Sequence, residues 1–183
     1  MKTKMTLGLL GMICLVAGLA HGDTIGLYAD QFGMNCNIAG SGLVNVYVVH
    51  VTNGATALEF SAPKPACWTG ATWLADYCQV PPCMGGWSQT GIMIGYGSCR
   101  AGAILALRIV YTVQEPSASC CSYPLLRDPR DIWETPMVVD CNFDAHAATG
   151  LVSTIDGNES CPCGYPVAAV ETTWGCVKAL YGE

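Results

Sequence analysis

Two stretches of the chain carry a strand signal in their order of apolar and polar positions. Leu43 to Thr52 (LVNVYVVHVT) is β-branched and aromatic with no helical repeat. Val44, Val46 and Val48 fall on one side, while Leu43, Tyr47, Val49 and Val51 fall on the other, as side chains alternate along an extended backbone. Apolar residues on both sides predict a central strand of a sandwich. Asn53-Gly54 follows directly and is a strong two-residue hairpin signal, so Ala57–Ser61 is expected to return as the partner strand. Ile104–Val113 (ILALRIVYTV) repeats the pattern, with Leu105, Leu107, Ile109 and Tyr111 on one face and Arg108 on the other. Shorter strands are predicted at Ile25–Tyr28, Gly91–Tyr96, Met137–Asp140, Leu151–Ile155 and Val167–Glu171. Short strands punctuated by Gly, Pro and Cys predict an all-β fold, an antiparallel β-sandwich of Ig-like shape, with a trefoil or irregular disulfide-rich fold as the alternative. The Cys…Trp…Cys triplet of true Ig domains is absent. Two long loops are expected, Pro63–Ser88 and Pro116–Pro136.

The ends follow other patterns. Lys2 and Lys4 precede an apolar run, Met5–Ala20, and Ala20-His21-Gly22 supplies small residues for cleavage, the three parts of a secretory signal peptide over 1–22. The run is shorter than the roughly 20 residues of a membrane-spanning helix, and no second stretch is long enough to cross, so no integral membrane segment is expected after processing. The domain is expected over 23–171. In the tail, 172–183, Thr172 or Thr173 caps a predicted short C-terminal helix with Trp174, Val177 and Tyr181 on one face.

Composition sharpens this outline. Of 183 residues 51% are apolar and 12% charged, which excludes disorder. Lys+Arg is 8 against Asp+Glu 14, and without a basic cluster nucleic acid is not a partner. Cys14 departs with the leader, leaving eleven cysteines, and export makes disulfides their expected fate. Ten are disulfide candidates: Cys36, Cys67, Cys78, Cys83, Cys99, Cys120, Cys121, Cys141, Cys161 and Cys163. Cys176, alone on the tail, is the expected free thiol. Adjacent Cys120 and Cys121, and Cys161 and Cys163 around one proline, are expected to bond outward. Local loops suggest Cys67 with Cys78, Cys83 with Cys99, and Cys141 with Cys120 or Cys121. No CxxC occurs, and only His50 and His146 accompany the cysteines beyond the leader, so no structural metal, redox centre or cofactor is expected.

Candidate chemistry is sparse. Trp68, Trp73, Trp87 and Tyr77 share one loop and offer ligand-binding rings that stack on sugars, or a small core of their own beside Cys67, Cys78 and Cys83. Arg127-Asp128-Pro129-Arg130-Asp131 reads as a solvated turn with local ion pairs. There is no G-x-S-x-G elbow; His50 lies within a strand and His146 in a loop without partner spacing. Asp156–Cys161 begins like a calcium loop, but Cys161 holds the place of the required glycine. No catalytic residues are assigned. The expectation is a non-catalytic structural or binding module at the cell envelope or outside the cell, its partner an envelope component or a glycan. The alternatives are a carbohydrate-binding domain using the tryptophan loop, or a small extracellular hydrolase in which a histidine meets a carboxylate in a cleft.

The tail Thr173-Trp174-Gly175-Cys176-Val177-Lys178-Ala179-Leu180-Tyr181 resembles the TWG-x-[VI]-K-x-L-Y endings of a group of secreted bacterial proteins. The opening Ile25-Gly26-Leu27-Tyr28-Ala29-Asp30, with Cys36 soon after, is similar to their IGLYFD…C start, and Leu43–Val51 with Ala57-Leu58-Glu59-Phe60 to their middle. The resemblance implies export and a cohesin-like or Ig-like sandwich, with no catalytic residue to carry over. Here the chain ends Tyr181-Gly182-Glu183 where those tails carry a basic residue, and Cys176 occupies a variable position.

Overall fold

The computed structural model describes residues 22–161 and 163. The leader expected at 1–22, apart from Gly22, the strand expected at 167–171, the helix expected in the tail and the expected free thiol Cys176 lie outside the described residues. Eleven strands run in chain order: β1 Thr24–Tyr28, β2 Asn37–Ile38, β3 Gly42–Phe60, β4 Ala71–Cys78, β5 Cys83–Trp87, β6 Gly91–Val113, β7 Cys121–Pro124, β8 Met137–Asp140, β9 Ala145–Ala147, β10 Thr149–Gly150 and β11 Val152–Ile155. No helix occurs among the described residues, so none is long and apolar enough to cross a membrane.

The two long strands β3 and β6 pair antiparallel and form the spine of an eight-stranded sheet. One half of that spine is flanked by β1 and β10 beside β3 and by β4 beside β6. The other half is flanked by β8 and β9 beside β3 and by β5 beside β6. A second sheet, β2-β11-β7, lies across the first, and Ile38, Tyr123 and Ile155 from it share one core with Leu27, Val46, Val48, Leu107 and Ile109 of the large sheet. The fold is therefore a two-layer all-β sandwich, but its sheets are mixed. β1 pairs parallel with β10, and β2 pairs parallel with β11. The cause is one chain segment, 149–155, that borders β1 in the large sheet and then crosses into the small one.

The expected hairpin at Asn53-Gly54 does not form, because β3 continues through it. The register against β6 shifts between Thr52 and Ala55 and again between Ala55 and Ala57, so the extra backbone is absorbed as a bulge. Opposite it, β6 loops out over Tyr96–Cys99, with Gly97 and Gly102 at positive φ. Gly54 is there for space. A Cβ on it would stand 2.9 Å from Cys141 Sγ, in the Cys99–Cys141 bridge that staples this corner.

The loop expected at Pro63–Ser88 contains β4 and β5, and the one at Pro116–Pro136 contains β7. The bridges also depart from the local pairing rules: Cys36–Cys163, Cys67–Cys121, Cys78–Cys83, Cys99–Cys141 and Cys120–Cys161. Cys67–Cys78, Cys83–Cys99 and a bond from Cys141 to Cys120 or Cys121 are all excluded. Four of the five bridges span 41 to 127 residues, because antiparallel pairing across layers brings distant segments together. Cys120 and Cys121 do bond outward in different directions, as do Cys161 and Cys163.

Candidate recognition surface

Places with chemical potential among the described residues include a histidine cluster, a carboxyl pair, the aromatic residues of 68–87 and the outer face of the large sheet. Asp23, just before β1, accepts hydrogen bonds from both histidines: from His50 Nε2 at 3.2 Å and from His146 Nε2 at 2.5 Å. With Nε2 of His50 donating, its Nδ1 accepts from the Tyr96 hydroxyl at 2.7 Å. His146 therefore lies in β9 with a partner 123 residues away, not in an unpartnered loop. Burial acts to raise the Asp23 pKa, but hydrogen bonds from His50, Thr52 and His146 outweigh it and hold the carboxyl well below the usual carboxylate range. The bond to Asp23 raises the His146 pKa against the opposing effect of burial. A histidine meeting a carboxylate is what the hydrolase reading expects. Here, however, His50 is 0% exposed and Tyr96 is 1% exposed, and burial pushes the phenol far above its ordinary pKa. A buried neutral phenol is no nucleophile. The cluster joins the segment before β1 to β3, β6 and β9, and its geometry is that of a structural clasp.

The charged run 127–131 is a turn with the expected local ion pair, and Arg127, Pro129 and Arg130 are exposed, but one member is withdrawn from water. Asp128 is buried, its carboxylate receiving Arg130 Nε at 3.0 Å and Nη2 at 2.5 Å. It lies where a Cβ on Gly91 would stand, so glycine is required there, at φ +111°. Glu59 of β3 shares a hydrogen bond with Asp128. Burial and this neighbouring carboxylate push Glu59 up to about 7, while Arg130 keeps Asp128 ionised. Arg127 instead donates to the carbonyls of Asp131 and Trp133.

The four predicted ligand-binding aromatics do not converge. Trp68 is in the core, 4.7 Å from the Tyr111 ring and 6.1 Å from that of Tyr123, so no face is open for stacking. Burial explains this, since the ring roofs the gap between sheets beside the Cys67–Cys121 bridge. Trp73 lies on the core-facing side of β4, donates to Asp76 at 3.1 Å and meets Trp87 edge-on at 5.8 Å. Trp87 is 56% exposed at the rim, beside a depression of about 400 Å³ that also takes in Asp76, Gly85 and Ile92. Tyr77 points the other way, to the outer face of the large sheet.

On that outer face cross-strand pairing sets Tyr28 of β1, Tyr47 of β3, Arg108 of β6 and Tyr77 of β4 in one row. Tyr28 is covered; its ring lies back over Gly26, where any Cβ would collide with it, and it packs with Cys36 and Val49. The row is open from Tyr47 onward. The Arg108 guanidinium stacks 4.6 Å over the Tyr77 ring, and its buried Nε meets no hydrogen-bond partner among the described residues. A shallow depression of about 270 Å³ adjoins Tyr47, lined also by Ser41 and Asn45. Leu43 and Leu74 are exposed nearby.

No protein-family model matches the sequence, and no curated protein is similar to it. Solved structures that match over most of the chain include cohesin modules. One is the sixth cohesin of scaffoldin B from Acetivibrio cellulolyticus, solved with a dockerin: 11% identical, TM-score 0.47, covering 75% of this chain and 99% of that one. A cohesin module of a family 33 glycoside hydrolase from Clostridium perfringens gives 7% identity and TM-score 0.49 over 75% and 99%. The cohesin CaCohA2 from Clostridium acetobutylicum gives 13% and 0.45 over 78% and 96%. Similarities this low assign no function to the chain.

Sequence reasoning named Tyr77 for the surface but missed Tyr47 and Arg108, which sit in strands read for their core faces. The available signal was Arg108 itself, the one charged residue within an otherwise apolar strand pattern. Among the described residues no group of three or more His, Cys, Asp and Glu is placed to hold a metal ion. What the row offers is an oriented cation between two phenols, an arrangement suited to recognition.

Proposed function

We propose that this chain is a secreted, non-catalytic, disulfide-stapled binding module that acts at the cell envelope or outside the cell through the open outer face of its large sheet. The observation that carries the reading is the Tyr47–Arg108–Tyr77 row, where a half-buried guanidinium is braced on a ring and makes no ion pair among the described residues. Arg and Tyr are the side chains that recognition surfaces favour. Five disulfides support an oxidising compartment, in line with the leader read at 1–22 and with Cys176 as the single thiol of the processed chain. The test is co-sedimentation of the purified chain with isolated cell envelopes. The double variant Tyr47→Ala/Tyr77→Ala should lose binding while keeping its unfolding midpoint; retained binding would overturn the choice of face.

A second reading, glycan binding at the rim, is favoured by the exposed Trp87 braced by Trp73. It requires Trp87→Ala, and not the tyrosine pair, to abolish binding on a glycan array.

A further inference from the structure

We propose that the Tyr47–Arg108–Tyr77 row binds a polysaccharide bearing carboxylates, a chain of hexuronic acid units, with Arg108 pairing one carboxylate and the tyrosines flanking it. This rests on the outer face being the recognition surface and adds the class of ligand.

Charge carries the first part. The other described cations behave differently. Arg130 is ion-paired to Asp128, Arg127 and Lys64 donate to backbone carbonyls, and Arg100 is exposed to water. Arg108 alone is half-buried, braced by a ring and without a carboxylate. Although the chain has 14 acidic residues, the rows toward Thr112 hold none, reading Leu43, Asn45 and Tyr47 on β3, Val110 and Thr112 on β6, and Thr72 and Ala75 on β4, and Asp30, whose charge acts on Tyr28, stands at the covered end. A planar guanidinium takes a carboxylate through two parallel N–H bonds. The stack on Tyr77 fixes its plane beforehand, which lowers the ordering cost of binding.

Shape carries the second part. Adjacent strands lie about 4.8 Å apart, so Tyr47 and Tyr77 stand about 10 Å apart across Arg108. Phenol rings at that spacing can meet sugar units on either side of the one that Arg108 holds. The hydroxyl of Ser41 and the amide of Asn45, in the depression beside Tyr47, offer partners for sugar hydroxyls. An acidic protein partner fits less well, because protein interfaces centre on an anchor side chain seated in a pocket, and this row is flat with one shallow polar depression.

The experiment is affinity electrophoresis and calorimetry of the full processed chain with polygalacturonate and alginate, with methyl-esterified polygalacturonate as the uncharged counterpart. The acid form is expected to bind about tenfold or more tightly than the ester, since one charge-assisted pair is worth at least that factor. Arg108→Gln should erase the difference, and Arg108→Lys should restore only part of it, because the planar fork is lost. The ester comparison needs no variant, so a misfolded substitution leaves the test intact. Equal binding of acid and ester, or no binding of either acidic polymer, overturns the proposal. If Tyr47→Ala/Tyr77→Ala still abolishes envelope binding, the recognition face stands and only the ligand class falls; if it does not, both fall. Envelope binding that protease treatment destroys and polygalacturonate does not compete identifies a protein partner, and also overturns the proposal.

Discussion

The Asp23–His50–Tyr96–His146 clasp and the Tyr47–Arg108–Tyr77 row lie along the same strands, β3 and β6, yet treat polar groups in opposite ways. In the clasp, both histidines and the Tyr96 hydroxyl find partners inside the chain, and Asp23 receives two hydrogen bonds from imidazoles on different strands. In the row, a guanidinium is half withdrawn from water and given a ring but no anion. An unpaired buried N–H costs about 1–3 kcal/mol, so stability alone favours an arrangement like the clasp. The contrast separates side chains that hold the fold from side chains held by it for another molecule.

The strongest way to break this contrast is Asp23→Ala. It leaves His50 buried without its acceptor and should lower stability by about 1–3 kcal/mol, read from denaturant midpoints, without changing envelope binding. A binding loss at unchanged stability would place the clasp in the recognition machinery. Next in size is Glu59→Gln. The folded protein holds the Glu59 proton up to about 7, whereas the unfolded chain releases it near 4.3. Stability therefore falls as pH rises between those values. The amide has no proton to lose, so the variant should be more stable than the parent at pH 8 by about 1 kcal/mol or more, one pKa unit being about 1.4 kcal/mol. Thermal unfolding at pH 5 and pH 8 decides it, and a gain independent of pH would contradict it.

His146 gives a smaller effect of defined sign. Its folded pKa is raised, so its ion pair with Asp23 contributes fully below the unfolded value, near 6.5, and is lost as pH rises through the folded value. With its side chain 40% exposed, screening holds the contribution to a few tenths of a kcal/mol. His146→Ala should flatten the stability profile above pH 6.5 by that amount. Smallest is the stability change of Arg108→Gln, in which relief of the unpaired N–H offsets loss of the stack on Tyr77, leaving the variant within about 0.5 kcal/mol of the parent. A loss above 2 kcal/mol would show that Arg108 serves the fold and dissolve the contrast.

Much of the sandwich was readable because its core strands obey a local rule. The Val44, Val46, Val48 face and the Leu107, Ile109, Tyr111 face both point into the core as alternation requires, but Leu105, expected on the second face, packs instead with Tyr28 and Val49, because the register slips between Val48 and Val49. The failures share a physical cause. Asn53-Gly54 has the local preference of a turn, but Thr52 and Ala55 gain more by staying paired with β6 than by reversing, so tertiary pairing overrides it. β4 and β5 hid among Gly, Trp and Cys because an edge strand lacks a clean apolar face; every residue of β5 is exposed. The disulfides and the clasp were out of reach for another reason. Asp23 meets partners 27 and 123 residues away, and separations like these follow only from strand order.

The Cys36–Cys163 bridge closes 127 residues of chain and so sets how the domain would carry a load. Tension applied at Gly22 and beyond Cys163 passes through this covalent link, not through the β3–β6 ladder. Only the 14 residues from Asp23 to Cys36 could then be drawn out, about 50 Å at full extension. The strands that carry Tyr47, Arg108 and Tyr77 stay off the line of force, whereas β1, with Asp23 and Tyr28, lies on it, so a chain tethered at both ends would give up its clasp before its recognition row.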